Sequence, residues 1–278
     1  MKKLLMILSI ALVSVLLLGC QAQTGTTGGN TNAGNAGGKG TAVFTITDAA
    51  ANMGSVSEVK VTVDSVKVHS QTEGWVTVSN QAQTYDLLEL KAQGSQALLA
   101  NAQLDAGTYD QLRMDISQVV VVDAEGQHEA KLPSNQLIIN GNLEVSEGTT
   151  STATFDFIAD ESLHVTGNGQ FIMAPVIQLE TRSNADVSVK SDSSVEVKGG
   201  SLTSNVKVGM DADGNIGVGL GIPANANVSI GGNGKISIGN GLGIGLGGQA
   251  SGQAGGSADA SAWSDSGATV VVGGSGSY

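Results

Sequence analysis

Apolar residues recur at every second position through the middle of this chain, and that alternation constrains the fold more than any other feature. Val59-Lys60-Val61-Thr62-Val63 places three valines on one side of an extended strand and polar side chains on the other. The phase slips at Asp64-Ser65 and resumes through Val66-Lys67-Val68-His69. Ala42–Thr47, Trp75–Val78, Tyr109–Ile116, Val119–Val122, Leu137–Val145, Thr150–Ile158 and Phe171–Glu180 read as further strands. Gln71-Thr72-Glu73-Gly74 and Asp123-Ala124-Glu125-Gly126 supply turns. Short strands at this spacing predict an all-β fold, an antiparallel β-sandwich of transthyretin-like or immunoglobulin-like type. One short helix is expected from Ser95 to Asn101, with Ser95 as its cap.

The aromatic residues set the limits of that domain. All four Phe, with Trp75, Tyr85 and Tyr109, fall between Thr41 and Ser183; beyond Asn184 only Trp263 and Tyr278 remain. Large aromatics supply much of a core's buried area, so residues 41–183 form the β-sandwich domain. From 184 to 248 apolar residues come in i, i+2 pairs such as Val187/Val189 and Ile236/Ile238. Ile216–Ile222 and Leu242–Leu246 place glycine at every second position. This region reads as a Gly-rich β-repeat with one bare face, and a disordered stalk is the alternative. Residues 249–278 read as a disordered Gly/Ser/Ala tail, and 20–40 as a flexible tether.

Lys2 and Lys3 precede an apolar stretch from Leu4 to Leu18, and Gly19 precedes Cys20, the one cysteine in the chain. A spanning helix needs roughly 20 apolar residues, so this short stretch reads as a secretory signal over residues 1–19. Leu16-Leu17-Leu18-Gly19-Cys20 resembles the lipobox of prokaryotic lipoproteins. That resemblance implies cleavage after Gly19 and a diacylglyceryl group on Cys20, making membrane lipid the first expected partner. Two acyl chains give stable anchoring, at about 0.8 kcal/mol per buried methylene. The expected location is outside the cytoplasm, lipid-anchored to the cell membrane or the outer membrane. With Cys20 acylated, no disulfide forms and an apolar core must provide stability.

The formal charge is −12, and removal of the signal deletes two lysines and no acid. Nucleic acid is excluded as a partner, because it needs clustered Lys and Arg.

Thr47-Asp48-Ala49, Gly74-Trp75, Asp86-Leu87-Leu88, Ala106-Gly107-Thr108-Tyr109 with Leu112-Arg113, Pro133-Ser134, Phe155-Asp156-Phe157 and Pro175-Val176-Ile177 occur in order along the chain. Together they resemble a domain found in prokaryotic lipoproteins, domain of unknown function 4382, over nearly all of residues 41–183. One departure is Ala50, where the family often has proline. The resemblance implies a domain and no activity. Within it, Gly107 turns the chain into a strand and Tyr109 buries its ring while its hydroxyl seeks a backbone partner, as in a tyrosine corner.

Candidate chemistry is sparse. Asp211-Ala212-Asp213-Gly214-Asn215 opens like a calcium loop, but position twelve is Ile222 and flanking helices are missing. Asp-Gly between Val/Ile strands is also a hairpin signal, so the turn leads and a weak metal site at Asp211, Asp213 and Asn215 is the alternative. His69, His128 and His164 lack metal spacing. Ser162 lies near Asp160 and His164, yet no third group completes a triad. The acidic pairs Asp86/Glu89 and Asp156/Asp160/Glu161 read as solvated surface. Trp75 and Phe171 would form a sugar platform if exposed; core positions are the expectation. No cofactor motif is present.

These features predict a non-catalytic binding or structural module of the envelope, with an envelope protein or glycan as its partner. An envelope hydrolase or its accessory subunit is the rival, followed by a cation-binding or adhesive surface protein. Residues 216–246 carry few charges and are expected to pack on the domain or on a second copy.

Overall fold

A computed structural model describes residues 37–49 and 53–239, all within one compact unit that starts at Gly37. The elements in chain order are β1 (Lys39–Asp48), β2 (Glu58–Ser70), β3 (Gly74–Ser79), β4 (Gln83–Asp86), α1 (Leu87–Gln93), β5 (Gln96–Asp105), β6 (Gly107–Asp123) and β7 (Gly126–Glu129). They continue as β8 (Gln136–Val145), β9 (Thr150–Phe157), α2 (Ala159–Ser162), β10 (Leu163–Val165), β11 (Phe171–Met173), β12 (Val176–Val189), β13 (Ser194–Met210), β14 (Ile216–Gly217), β15 (Val228–Ile230) and β16 (Ile236–Ile238). The fold is all-β. Lys39 and Gly40, expected in the tether, already belong to β1.

Two large sheets make the body. One runs β12-β9-β1-β5-β13-β14; in the other, β2 and β6 lie side by side, with β3 and β4 flanking β2 and with β7 and β8 flanking β6. Phe44, Ile46, Phe155, Phe157 and Leu179 from the first sheet share one core cluster with Val61, Val68, Leu112, Met114 and Ile139 from the second. Each such side chain contributes about 1.5–3 kcal/mol when fully buried. The phase slip at Asp64-Ser65 is a real irregularity, where the β2–β6 register shifts on either side of Val63.

Three further expectations are corrected. The sandwich is not purely antiparallel, because β1 pairs with β9 in parallel, Thr41 opposite Thr150 through Asp48 opposite Phe157. The intervening chain builds the second sheet and supplies the crossover that a parallel pair requires. The helix also sits earlier than expected. Asp86 caps α1 through its carboxylate, which accepts from Leu88 N at 3.1 Å and Glu89 N at 3.4 Å. Gly94 ends α1 in the left-handed region, with Ser95 N donating to Leu90 O and Gly94 N to Lys91 O, both at 3.0 Å. Ala97-Leu98-Leu99, the expected helix face, is instead strand β5, paired with β1 from Ile46 opposite Ala97 onward.

The third correction concerns the boundary at 183/184. Strand β12 runs straight through it and forms a long hairpin with β13, from Val176 opposite Gly209 to Val189 opposite Val195. The hairpin bends near Asn184 (φ 53°) and Gly200 (φ 76°). Its tip then pairs with β5, Ser194 opposite Ala97 and Val195 opposite Gln96. Because β13 also pairs with β12, the first sheet closes on itself through β12-β9-β1-β5-β13. Val43, Thr45, Thr152 and Thr154 alternate with Phe44 and Phe155, so they point away from the main core, yet all are buried. Within this second layer the Thr45 hydroxyl donates to Gln96 Oε1 at 3.0 Å and lies 2.9 Å from Thr154 Oγ1.

The glycine-rich region packs on the body. Ile222, Val228 and Ile236 join the core cluster. The alternating stretch from Ile216 is a strand only at Ile216–Gly217, after which it turns back. A Cβ on Gly209 would lie 2.0 Å from Leu220 O, so bare backbone meets bare backbone there. The expected second glycine stretch, the tail and residues 1–36 lie outside the described residues.

Candidate functional site

One hairpin turn recurs four times, and the Asp211 segment is one of its copies. After Thr166, Lys190, Asp211 and Gly231, the first residue's N–H donates to the carbonyl four residues on, at 2.9 Å each time. The left-handed position is filled by Gly169, Ser193, Gly214 and Gly234. In the third copy Asp211 Oδ1 accepts from Asp213 N at 3.0 Å and Asn215 N at 2.9 Å. Asp213 faces Lys235 at 3.3 Å. This carboxylate organises a turn, and among the described residues no cluster of three or more His, Cys, Asp or Glu is placed to hold a metal ion.

The remaining polar candidates also have structural tasks. Ser162 is fully buried; its hydroxyl donates to Ile158 O at 2.7 Å and accepts from Val176 N at 2.8 Å, tying α2 to β12. Ser162 lies in α2 and His164 in β10. His164 is buried, its Nε2 has no hydrogen-bond partner among the described residues, and burial pushes its pKa down. Asp86 is a helix cap, and Asp156 Oδ1 is buried with no hydrogen-bond partner among the described residues, its carboxyl held above the ordinary range by burial. Neither is the solvated surface acid expected. His128 Nε2 lies 3.0 Å from Asp123 Oδ1 at the β6–β7 turn, and its ring packs against Phe171. Tyr109 is buried, and its hydroxyl donates to Asp105 O at 3.1 Å, which is the backbone partner expected of it. Cys20 and Gly19 lie outside the described residues.

Trp75 breaks the expectation of a core position, whereas Phe171 is buried as expected. Trp75 is 41% exposed and Phe171 only 6%. Trp75 sits on β3 opposite His69 of β2, and the outward face of this sheet continues through Gln111 of β6 to Asn140 of β8. The rings of His69 and Trp75 meet edge to face at 5.1 Å between centroids. His69 Nδ1 is 2.7 Å from Asp110 Oδ1, and Gln71 donates to the other carboxylate oxygen. These two hydrogen bonds hold the Asp110 carboxyl below the ordinary carboxylate range. The next row holds Thr77, Lys67, Arg113 and Ile138, in register. Asp115 takes Arg113 Nε at 2.7 Å, Lys67 Nζ at 3.2 Å and Ser65 Oγ at 2.6 Å. Burial opposes its charge, but these bonds prevail and keep its pKa below the usual value. The result is a face with one exposed aromatic ring, two basic groups that share Asp115, and the carboxamides of Gln71, Gln111 and Asn140.

A separate cleft of about 390 Å³ opens between the β3–β4 connection and β5. Val78 and Leu98 contribute apolar lining, with Asn80, Gln81, Asn101 and Ser193 as polar neighbours. It is an uncharged hollow with no titratable group in its wall.

The chain thus forms an all-β, two-sheet body with Trp75 and several carboxamides on the outward face of its second sheet. Residues 39–175, just under half of the chain, match the model of the family described as Domain of unknown function (DUF4382). The match ends one residue before β12, although β12 and β13 complete the first sheet. No curated protein and no solved structure matches the chain.

Proposed function

We propose that this protein is a non-catalytic binding module of the cell envelope, held at a membrane by lipid on Cys20 and presenting the Trp75 face to its ligand. The observation that carries the reading is Trp75 itself, exposed yet fixed by His69, which Asp110 holds in turn. Tryptophan is among the residues enriched at binding hot spots. The signal-like leader, the single cysteine after Gly19 and the tether-like segment that follows support delivery of the domain outside the cytoplasm. Among the described residues no helix is long and apolar enough to cross a membrane.

The hydrolase alternative is less favoured, because Ser162, Asp86 and Asp211 are committed to backbone hydrogen bonds. A cation-binding adhesive role draws on the charge of −12 alone. Self-association through 216–246 is less favoured because Ile222, Val228 and Ile236 are already buried in the body.

Two measurements test the reading. Radioactive palmitate should label the wild-type chain and not Cys20→Ser; equal labelling removes the anchor. Co-sedimentation with insoluble envelope material should fall in Trp75→Ala, and unchanged sedimentation removes the binding face.

A further inference from the structure

We infer that the outward face of the second sheet takes a neutral glycan chain bearing N-acetyl groups, laid across the strands over Trp75, Gln111 and Asn140. The inference rests on the binding-module reading and names its ligand class. Register sets the row: Trp75 lies opposite His69, His69 opposite Gln111, and Gln111 opposite Asn140. Its ends are three strand spacings apart, about 14 Å, which suits a short oligosaccharide better than a single small molecule.

At one end Trp75 offers an apolar plane. The negative π face of an indole attracts the polarised C–H bonds on the flat side of a pyranose. Because His69 fixes the ring, the ligand meets a preorganised surface and loses less entropy on binding.

The other end supplies an amide code. Gln111 Nε2 donates to Asn140 Oδ1 at 3.0 Å. That bond uses half of each carboxamide. It leaves Gln111 Oε1 as an acceptor and Asn140 Nδ2 as a donor, neither with a partner among the described residues. An acetamido group carries the complement, one N–H and one C=O.

Charge narrows the class further. Asp115 takes both Lys67 and Arg113, Asp110 faces His69, and the exposed Glu144 lies further along β8, so this face holds no excess of positive charge in a chain that carries −12. A polyanion would find no net attraction here and repulsion from the rest of the molecule. A peptide also presents amides, but peptides that bind sheets commonly add a strand at an edge. Strands β2 and β6, at the centre of this row, are paired on both sides.

The test uses the full chain in detergent carrying Trp263→Phe, which leaves Trp75 as its one tryptophan. Its emission is titrated with chitohexaose, with cellohexaose and with a neutral peptide blocked at both ends. Chitohexaose should give a saturable change, with cellohexaose weaker by roughly tenfold or more. Gln111→Ala with Asn140→Ala should cost chitohexaose a similar factor, while the melting temperature and the emission of the free protein stay as in the parent. Equal affinity for the two sugars, or no effect of the double substitution, overturns the acetamido assignment. A response to the peptide alone, or to none of the three, overturns the ligand class. The binding-face reading is judged separately, since it stands or falls on sedimentation of Trp75→Ala with envelope material.

Discussion

Trp75 stands edge-on to His69, their ring planes inclined by 61° and their centroids 5.1 Å apart. The contact joins an exposed aromatic on β3 to a hydrogen-bonded chain that runs through His69 to Asp110 and Gln71. A tryptophan packed this way has fewer orientations to lose on meeting a ligand.

Asp110→Ala should loosen that arrangement without unfolding the protein. In a Trp263→Phe background the anisotropy of Trp75 emission is expected to fall. The melting temperature should move little, because both side chains are half-buried and lie outside the core cluster. Unchanged anisotropy would mean that His69 holds Trp75 without help from Asp110.

Tyr109 separates a hydrogen bond from a packed ring. Its hydroxyl donates to Asp105 O at 3.1 Å while its ring is buried, and that burial pushes its pKa up to about 12. Tyr109→Phe should cost about 0.5–1.5 kcal/mol. Tyr109→Ala should cost about 3–5 kcal/mol. Urea unfolding measures both, and equal losses for the two variants would place the whole contribution in the hydroxyl.

Gly209→Ala tests whether the glycine-rich region docks on the body as described. The new Cβ would meet Leu220 O at 2.0 Å, so strand and turn must separate. A loss of about 1–3 kcal/mol is expected, the usual range for overpacking. Hydrogen exchange should localise it to residues 209–222, and an unperturbed variant would show that the two backbones do not touch.

His164 makes stability depend on pH. Burial lowers its folded pKa below 6.5, so the unfolded chain binds the proton more readily. Its contribution is intact above pH 6.5 and is lost progressively as pH falls toward the folded pKa. The melting temperature should therefore drop between pH 7.5 and 5 more in the wild type than in His164→Leu. Parallel curves would show that His164 is accessible to protons in the folded state.

Strand positions are legible in the sequence wherever a buried face alternates with a wet one, as in Val59–Val63 and Leu137–Val145. The β1–β9 parallel pair is not legible, because alternation says nothing about a strand's direction. Nor is the fold-over of the β12–β13 hairpin, which is decided by backbone bends at Asn184 and Gly200 and by pairing with β5. Ala97-Leu98-Leu99 reads as helix locally and is overridden by pairing with β1. Asp86, followed by a run of good helix formers and then Gly94, is the signal that marks the real helix. For the candidate face, alternation places Lys67 and His69 outward. What brings Trp75, Gln111 and Asn140 into one row is register between strands distant in sequence, which no local pattern carries.

The central claim, that the Trp75 face is where ligand binds, is tested most directly by acrylamide quenching of Trp75 in the full chain carrying Trp263→Phe. Free protein should be quenched readily, as expected of a side chain left 41% exposed. Insoluble envelope material should shield it and lower the quenching constant, and Trp75→Phe should weaken binding of the same material. An unchanged quenching constant at saturating envelope material would contradict the account, because the ligand would then sit elsewhere on the molecule.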